Sequence, residues 1–344
     1  MSRITIDQLY ALAIPEVQEM FLNIMQDTVD DAILSEMIEA IENNDEEALF
    51  RATGFTPAVL APILDRIEAL YGEGAEIESD GWPKRLRTPS GMVKFVFNMR
   101  NPIAERELKE NSSSLVTNIN NNVRDGLRLS MQEGIRRGQN PRKTALQMIG
   151  TYNPTTKKRQ GGSLGLTKPQ TQWSYSALSY LETLDEKYFS LGLRDKRFDK
   201  TVRKAIDSGQ PMNQKTVDQL HSAYKSKLLN YRASVISQTE TIQSINRGQH
   251  AVYEQAMAEG AIHPEAVTKE WDDVHDSVTR PSHKAMGIKY GKMKGIPFRD
   301  PFVTPSGEKL KHPGDTSFNA SGKEVILCRC KAKYRVDFTY GVEL

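Results

Sequence analysis

Six apolar residues, Leu115, Ile119, Val123, Leu127, Met131 and Ile135, recur at every fourth position of an otherwise polar stretch, and no other feature restricts the fold as much. Residues four apart share one face of an α-helix, so the stretch after Pro102 predicts a long helix packed along one narrow seam. A second pattern runs from about Val217 to Glu259, with Leu228, Val235, Ile242 and Ala256 at one heptad position and Tyr231, Ile245 and Val252 at companion positions. Gln238 and Gln249 interrupt that seam, which favours an internal helical bundle over a long dimeric coiled coil. Thr167 with Pro169 starts another helix through Trp173, Leu178, Leu181 and Leu184. Thr56 as N-cap, Pro57 at the first helical position and Gly72 as terminator delimit a helix over 56–71, which Pro62 is expected to kink.

The punctuation between these segments divides the chain. Residues 74–91 are rich in turn formers, and the charge changes there from acidic to basic. Met92–Asn98 alternates as a strand does, and NPTTKKRQGGSLGL (153–166) reads as a loop. Beyond Trp271 the texture changes to glycines, prolines and short apolar runs, with Val325–Leu327 and Tyr334–Phe338 as two final strands around a turn at 329–333. The expected fold is mainly α: a helical bundle followed by a small α+β domain ending in a β-hairpin. The expected divisions are an acidic helical region (1–75), a linker with a strand (76–105), a helical body (106–262) and the α+β domain (263–344).

Residues 1–80 hold 18 acidic residues against Arg3, Arg51 and Arg66, a net −15, so a chain of net +2 carries +17 in the remainder. Such a split implies different partners for the two parts, or docking of one on the other. The basic side chains cluster at Lys157, Lys158 and Arg159, and more densely at Arg194, Lys196, Arg197, Lys200, Arg203 and Lys204. These could contact several phosphates without reading sequence, or an acidic protein surface; Asp195 and Asp199 dilute the second cluster. No run of about 18 apolar residues occurs and the N-terminus carries acids, so a soluble protein made in the cytoplasm, with no membrane partner, is expected.

The most informative stretch is 269–330, read together with RASVISQTETIQSINRGQ at 232–249. A helix carrying Thr239-Glu240 precedes Trp271, the series Asp276, Arg280, His283, the turn Pro313-Gly314-Asp315 and the terminal Cys328-Arg329-Cys330. These elements, in this order within about 100 residues, resemble the Mu F-like head-morphogenesis family of tailed bacteriophages. The resemblance covers roughly 110–335 and departs from the family's Arg-Thr-Glu signature at Gln238. It implies a minor head protein made in the host cytoplasm and carried in the virion head. Its implied partners are the portal protein, the major capsid or scaffold protein, and genomic DNA bound without sequence specificity; it acts in assembly and is not an enzyme.

The only cysteines, Cys328 and Cys330, are too close in sequence to staple distant segments. On a strand both sulfurs face one side, and His283 is the natural third ligand of a metal, with His275, Asp276, His312 or Asp315 as the fourth. Sulfur with imidazole favours zinc. The alternative is that the cysteines are small core residues and that His283 and Asp276 form a hydrogen-bonded pair. In either case Arg280 is expected to satisfy Asp276 or Asp315. A catalytic reading, a metal-dependent nuclease using His275, His283 and Asp315, competes with the assembly role.

Overall fold

The computed structural model describes residues 4–89 and 91–341. Its helices are α1 (Ile6–Asp31), α2 (Leu34–Glu42), α3 (Glu46–Ala52), α4 (Ala61–Ser79), α5 (Pro102–Arg136), α6 (Pro141–Ile149), α7 (Lys168–Glu182), α8 (Asp199–Ser208), α9 (Gln214–Ala258), α10 (Pro281–Tyr290) and α11 (Gly322–Val325). The strands are β1 (Leu86–Thr88), β2 (Gly91–Val93), β3 (Thr151–Asn153), β4 (Lys158–Gln160), β5 (Val267–Asp272), β6 (Ile296–Pro297), β7 (Phe302–Val303), β8 (Lys309–Leu310) and β9 (Lys331–Val336). The protein is mainly helical with a C-terminal α+β portion, as expected, and no described helix is long and apolar enough to cross a membrane.

The chain forms two compact units: Met1–Gln18, Ile63–Ser112 and Val235–Leu344 in the first, Glu19–Pro62 and Ser113–Ser234 in the second. This division differs from the expected run of consecutive segments, because α1, α5 and α9 each give residues to both units. Long helices permit this, since each turn is hydrogen-bonded internally and can take whatever neighbours it meets.

In the first unit, α4 packs against the second half of α9. Pro62 lies in the first turn of α4, where a missing N–H costs nothing, so the expected interior kink is absent. Gly72 does not end the helix either; α4 runs on to Ser79. A Cβ at Gly248 would lie 2.0 Å from the Tyr71 carbonyl oxygen, and one at Gly74 would lie 2.7 Å from that of Ile245. The glycines therefore allow two backbones to touch, and the Ser244 hydroxyl donates to the Ile67 carbonyl at 2.6 Å across the same crossing. The remaining core gathers Val252, Tyr253, Ile262, Val267 and Phe298 around Trp82.

The sheet of this unit has the order β6-β5-β9, with β9 antiparallel to β5 and Trp271 opposite Ala332. Val325–Leu327 lies in α11 and the turn after it, so the partner of the last strand is β5, some 60 residues earlier by sequence. A short antiparallel β7–β8 pair joins Phe302 to Leu310. Of Met92–Asn98 only the start is strand, paired to β1; Phe95 and Phe97 still turn toward the core, by alternation without a ladder.

In the second unit, α5 buries Leu115, Ile119, Val123, Leu127 and Met131 but leaves Ile135 exposed at its last turn. Thr167 and Gln170 form a reciprocal capping box at the start of α7: the Thr167 hydroxyl accepts from the Gln170 N–H and the Gln170 side chain accepts from the Thr167 N–H. The loop at 153–166 contains the β3–β4 hairpin. Part of the acidic segment pairs with basic residues of its own unit, Glu47 with Arg124 at 2.6 Å and Glu46 with Arg128 at 2.5 Å. Docking thus accounts for some of the charge asymmetry.

Candidate metal centre

Three elements of the first unit bring three ligand groups together. α10 carries His283, and the turn after α11 carries Cys328 and Cys330 into β9. Leu327 has φ +58°, a left-handed residue that reverses the chain just before the cysteines. From there the chain alternates: Cys328 and Cys330 are buried, while Arg329 points away and binds Asp276 through both carboxylate oxygens at 2.7 and 2.9 Å. The two-residue period puts both sulfurs on the side where His283, itself 1% exposed, is waiting.

His283 Nδ1 lies 3.6 Å from Cys328 Sγ and 3.3 Å from Cys330 Sγ. One ligand atom from each residue falls within 4.8 Å of the others, so the group can hold a metal ion. In a tetrahedral site with metal–sulfur and metal–nitrogen bonds of about 2.3 and 2.1 Å, sulfur and nitrogen are about 3.6 Å apart. The observed separations are at or slightly inside that value.

The surroundings suit such a group. Glu324 Oε2 lies 3.0 Å from His283 Nε2. The contact is out of line for a hydrogen bond, and the buried Nε2 has no hydrogen-bond partner as it stands. Binding through Nδ1 would leave Nε2–H facing Glu324, the carboxylate–imidazole–metal series that fixes the tautomer of a ligating histidine. Ser282 Oγ donates to the same Glu324 oxygen at 2.9 Å, which holds the carboxylate in position. A hydrogen bond from Cys330 holds the Cys328 thiol well below its usual range against the opposing effect of burial, and His283 adds to this; the same bond and burial push Cys330 up. The buried Trp271 indole N–H has no partner of ordinary hydrogen-bond geometry and favours negative charge on the Cys330 sulfur. Its ring meets His283 edge-on at 5.2 Å between centroids.

The other residues expected here are engaged elsewhere. Asp276 accepts from Thr279 and Arg329 and makes no pair with His283. Asp315 accepts from the Lys311 backbone N–H at 2.7 Å and from Ser317 at 2.9 Å, inside the turn that follows Pro313. His275 is 75% exposed beside Asp273, and His312 Nδ1 contacts the Pro313 carbonyl oxygen at 3.1 Å. Arg280 donates to the carbonyls of Glu324 and Ile326 rather than to either aspartate, and so holds the turn that delivers the cysteines. Its acceptors are backbone, which composition and spacing cannot reveal. The ligand set of the nuclease reading, His275, His283 and Asp315, is therefore not assembled.

Two residues outside the expected set support the centre. Gln238 Nε2 donates to the Leu327 carbonyl at 3.1 Å, and the Thr239 hydroxyl accepts from the Leu327 N–H at 3.0 Å. Gln238, the position at which the sequence departs from the resemblance, thus helps to position Leu327. Glu324 carried no sequence signal, because a glutamate four residues before a cysteine is unremarkable until the turn folds back on α10.

The basic clusters lie in the second unit. Lys157 and Lys158 are exposed at the β3–β4 turn, and Arg159 donates to the Gly150 carbonyl at 3.3 Å. In the denser cluster, Arg194 pairs with Asp199 at 2.9 Å, Arg197 with Asp195 at 2.6 Å and Arg203 with Glu186 at 2.8 Å. Lys196, Lys200 and Lys204 are exposed and recur every four residues. Comparison with protein-family models, with curated proteins and with solved structures found no match to this chain.

Proposed function

We propose that this chain is a minor head protein of a tailed bacteriophage, associated with the portal protein or the inner capsid, acting in prohead assembly by binding rather than by catalysis. The observation that supports this reading is the convergence of the segments on which the resemblance rests. Gln238 and Thr239 hold both backbone groups of Leu327, and Asn246 of the same helix donates to the carbonyls of Pro313 and Cys330 at 3.2 and 3.3 Å. Helical signature, Pro-Gly-Asp turn and Cys-Arg-Cys segment thus share one buried polar seam. Such seams specify one arrangement of their segments, which suits a part that must offer a fixed surface to other subunits.

Zinc is the metal we assign to His283, Cys328 and Cys330, because two thiolates with one imidazole suit a borderline-soft ion that prefers four ligands. The fourth position would face a cavity of about 290 Å³ lined also by Arg280 and Arg329, where a water molecule would complete the tetrahedron. In this small mixed part of the fold the ion would act as a staple.

A second reading, binding of genomic DNA without sequence specificity, is favoured by one observation, the row of exposed lysines at 196, 200 and 204. The neighbouring arginines are already paired, so few charges remain for phosphate, and we place this reading second.

The test is coexpression with the portal protein, followed by sedimentation and metal analysis of the purified material. Stable co-sedimentation and zinc near one per chain support the assignment. A chain that stays apart from the portal and cleaves DNA on addition of a divalent metal overturns it.

A further inference from the structure

We propose that the second unit contains a binding site for a phosphate group, in the cavity between α6 and the first half of α9. The cavity, of about 760 Å³, is lined by Lys225 and the imidazole of His221 from α9, with Arg142, Lys143 and Lys215 as cations besides Lys225 and Asp218 as the one lining carboxylate. An excess of cations around a concave space is the electrostatic requirement for holding an anion. None of the metal-centre residues takes part.

The feature that singles out this cavity is Lys225. Its side chain is 3% exposed, and its ammonium donates to the Gln147 carbonyl at 3.0 Å. Among the described residues no carboxylate lies within ion-pair distance, and two of its three donors have no acceptor assigned. Burying an ammonium without an anion is costly. Burial accordingly pushes Lys225 down to about 7, with Asp218 only partly opposing. A phosphate oxygen in the cavity would supply the missing counter-charge. His221 does not compete for it: its Nε2 lies 2.8 Å from Ser174 Oγ, and burial, with Lys225, Arg137 and Lys143 adding to it, holds the ring well below its usual range and so neutral.

The walls are built by close backbone approach. Gly161 has φ +74°, and a Cβ there would fall 1.7 Å from Ser222 Oγ, so the β4 end of the hairpin closes tightly over α9. At the other end Asn140 already accepts from the Arg142 N–H at 2.9 Å, which leaves side chains rather than a bare helix terminus to hold the anion. Gln147 Oε1 is buried without a donor and would meet a hydroxyl of the ligand. The shared chemistry is a phosphate group, either free or carried on a small organic molecule, for which the volume leaves room.

The experiment is calorimetric titration and thermal unfolding of the full chain with inorganic phosphate, pyrophosphate and deoxyadenosine monophosphate, at ionic strength matched with sodium chloride. Wild type is compared with Lys225→Met and with the exposed-rim double variant Lys143→Gln, Lys215→Gln. The expected result is saturable binding by wild type, weakened at least about tenfold in Lys225→Met, as for loss of a hydrogen bond to a charged group. Lys225→Met should also melt higher than wild type when phosphate is absent. The rim variant, whose sites are exposed and leave the core untouched, should bind more weakly too. Tighter binding of the nucleotide than of phosphate assigns a carried phosphate; equal binding assigns the free ion. No stabilisation beyond the sodium chloride control, or wild-type affinity in both variants, overturns the proposal.

Discussion

Replacing Glu324 by glutamine separates a supporting role at a metal from an ordinary structural one. The carboxylate is 8% exposed, lies 3.0 Å from His283 Nε2 and accepts from Ser282 Oγ at 2.9 Å. The amide of Glu324→Gln keeps the shape and an oxygen for Ser282, so without metal the loss should not exceed about 1 kcal/mol, the worth of one ordinary hydrogen bond. With zinc the outcome differs, because the ion withdraws electrons from the ring and the Nε2–H becomes a stronger donor to a negative acceptor. Loss of such a partner weakens metal binding by about 10–100-fold, or about 1.4–2.7 kcal/mol. Since a ligand bound only by the folded state raises stability in proportion to the logarithm of its affinity, the zinc-dependent gain in melting temperature should shrink while the metal-free melting temperature barely moves. The assay is differential scanning calorimetry with chelator and with buffered free zinc, paired with a competitive zinc titration. Equal destabilisation of Glu324→Gln in both conditions would refute the reasoning, because Glu324 would then serve the turn and not the ion.

Three further outcomes follow from other parts of the fold. Gly248→Ala should cost at least about 2 kcal/mol in urea unfolding, since its Cβ would sit 2.0 Å from the Tyr71 carbonyl oxygen where neither helix backbone can yield; a change under about 0.5 kcal/mol would show that the crossing is loose. Glu254 is held at about 2: burial works to raise it, but a contact with His250 at 3.4 Å and the Lys311 ammonium, also at 3.4 Å, prevail. Its folded pKa is depressed, so this stability, on the order of 2 kcal/mol, is present above about 4.5 and is lost as pH falls toward 2; melting curves of wild type and Glu254→Gln should converge over that interval. Substituting glutamine at Lys196, Lys200 and Lys204 together should reduce retention on heparin or duplex DNA and flatten its salt dependence, with melting temperature unchanged; unaltered retention would remove DNA binding through this face.

What the sequence by itself determined is local. The four-residue spacing of Leu115 to Met131 and the Thr167 and Pro169 start of α7 each follow from the geometry of a single element, and each is found in the fold; Cys328 and Cys330 are buried on either side of Arg329 as alternation predicts, although they lie just before β9 rather than on a strand. The grouping of His283 with the two cysteines was also legible, because few residues in the chain have the chemistry to meet there. What only the tertiary structure decided is which partner each polar or small group meets. Gly72 looks like a helix terminator, yet its helix runs on to Ser79, and Gly74 and Gly248 admit a second backbone against that helix. Arg280 looks like the partner of an aspartate, yet it holds two carbonyls, and Arg329 takes Asp276 instead. The last strand looks like half of a local hairpin, but pairs with a strand some 60 residues earlier. Spacing along a helix or strand is set by bonds within a few residues and is written in order along the chain. Pairing across space depends on which surfaces remain uncovered once the elements have packed, and many assignments of donor to acceptor are compatible with one sequence until that packing selects among them.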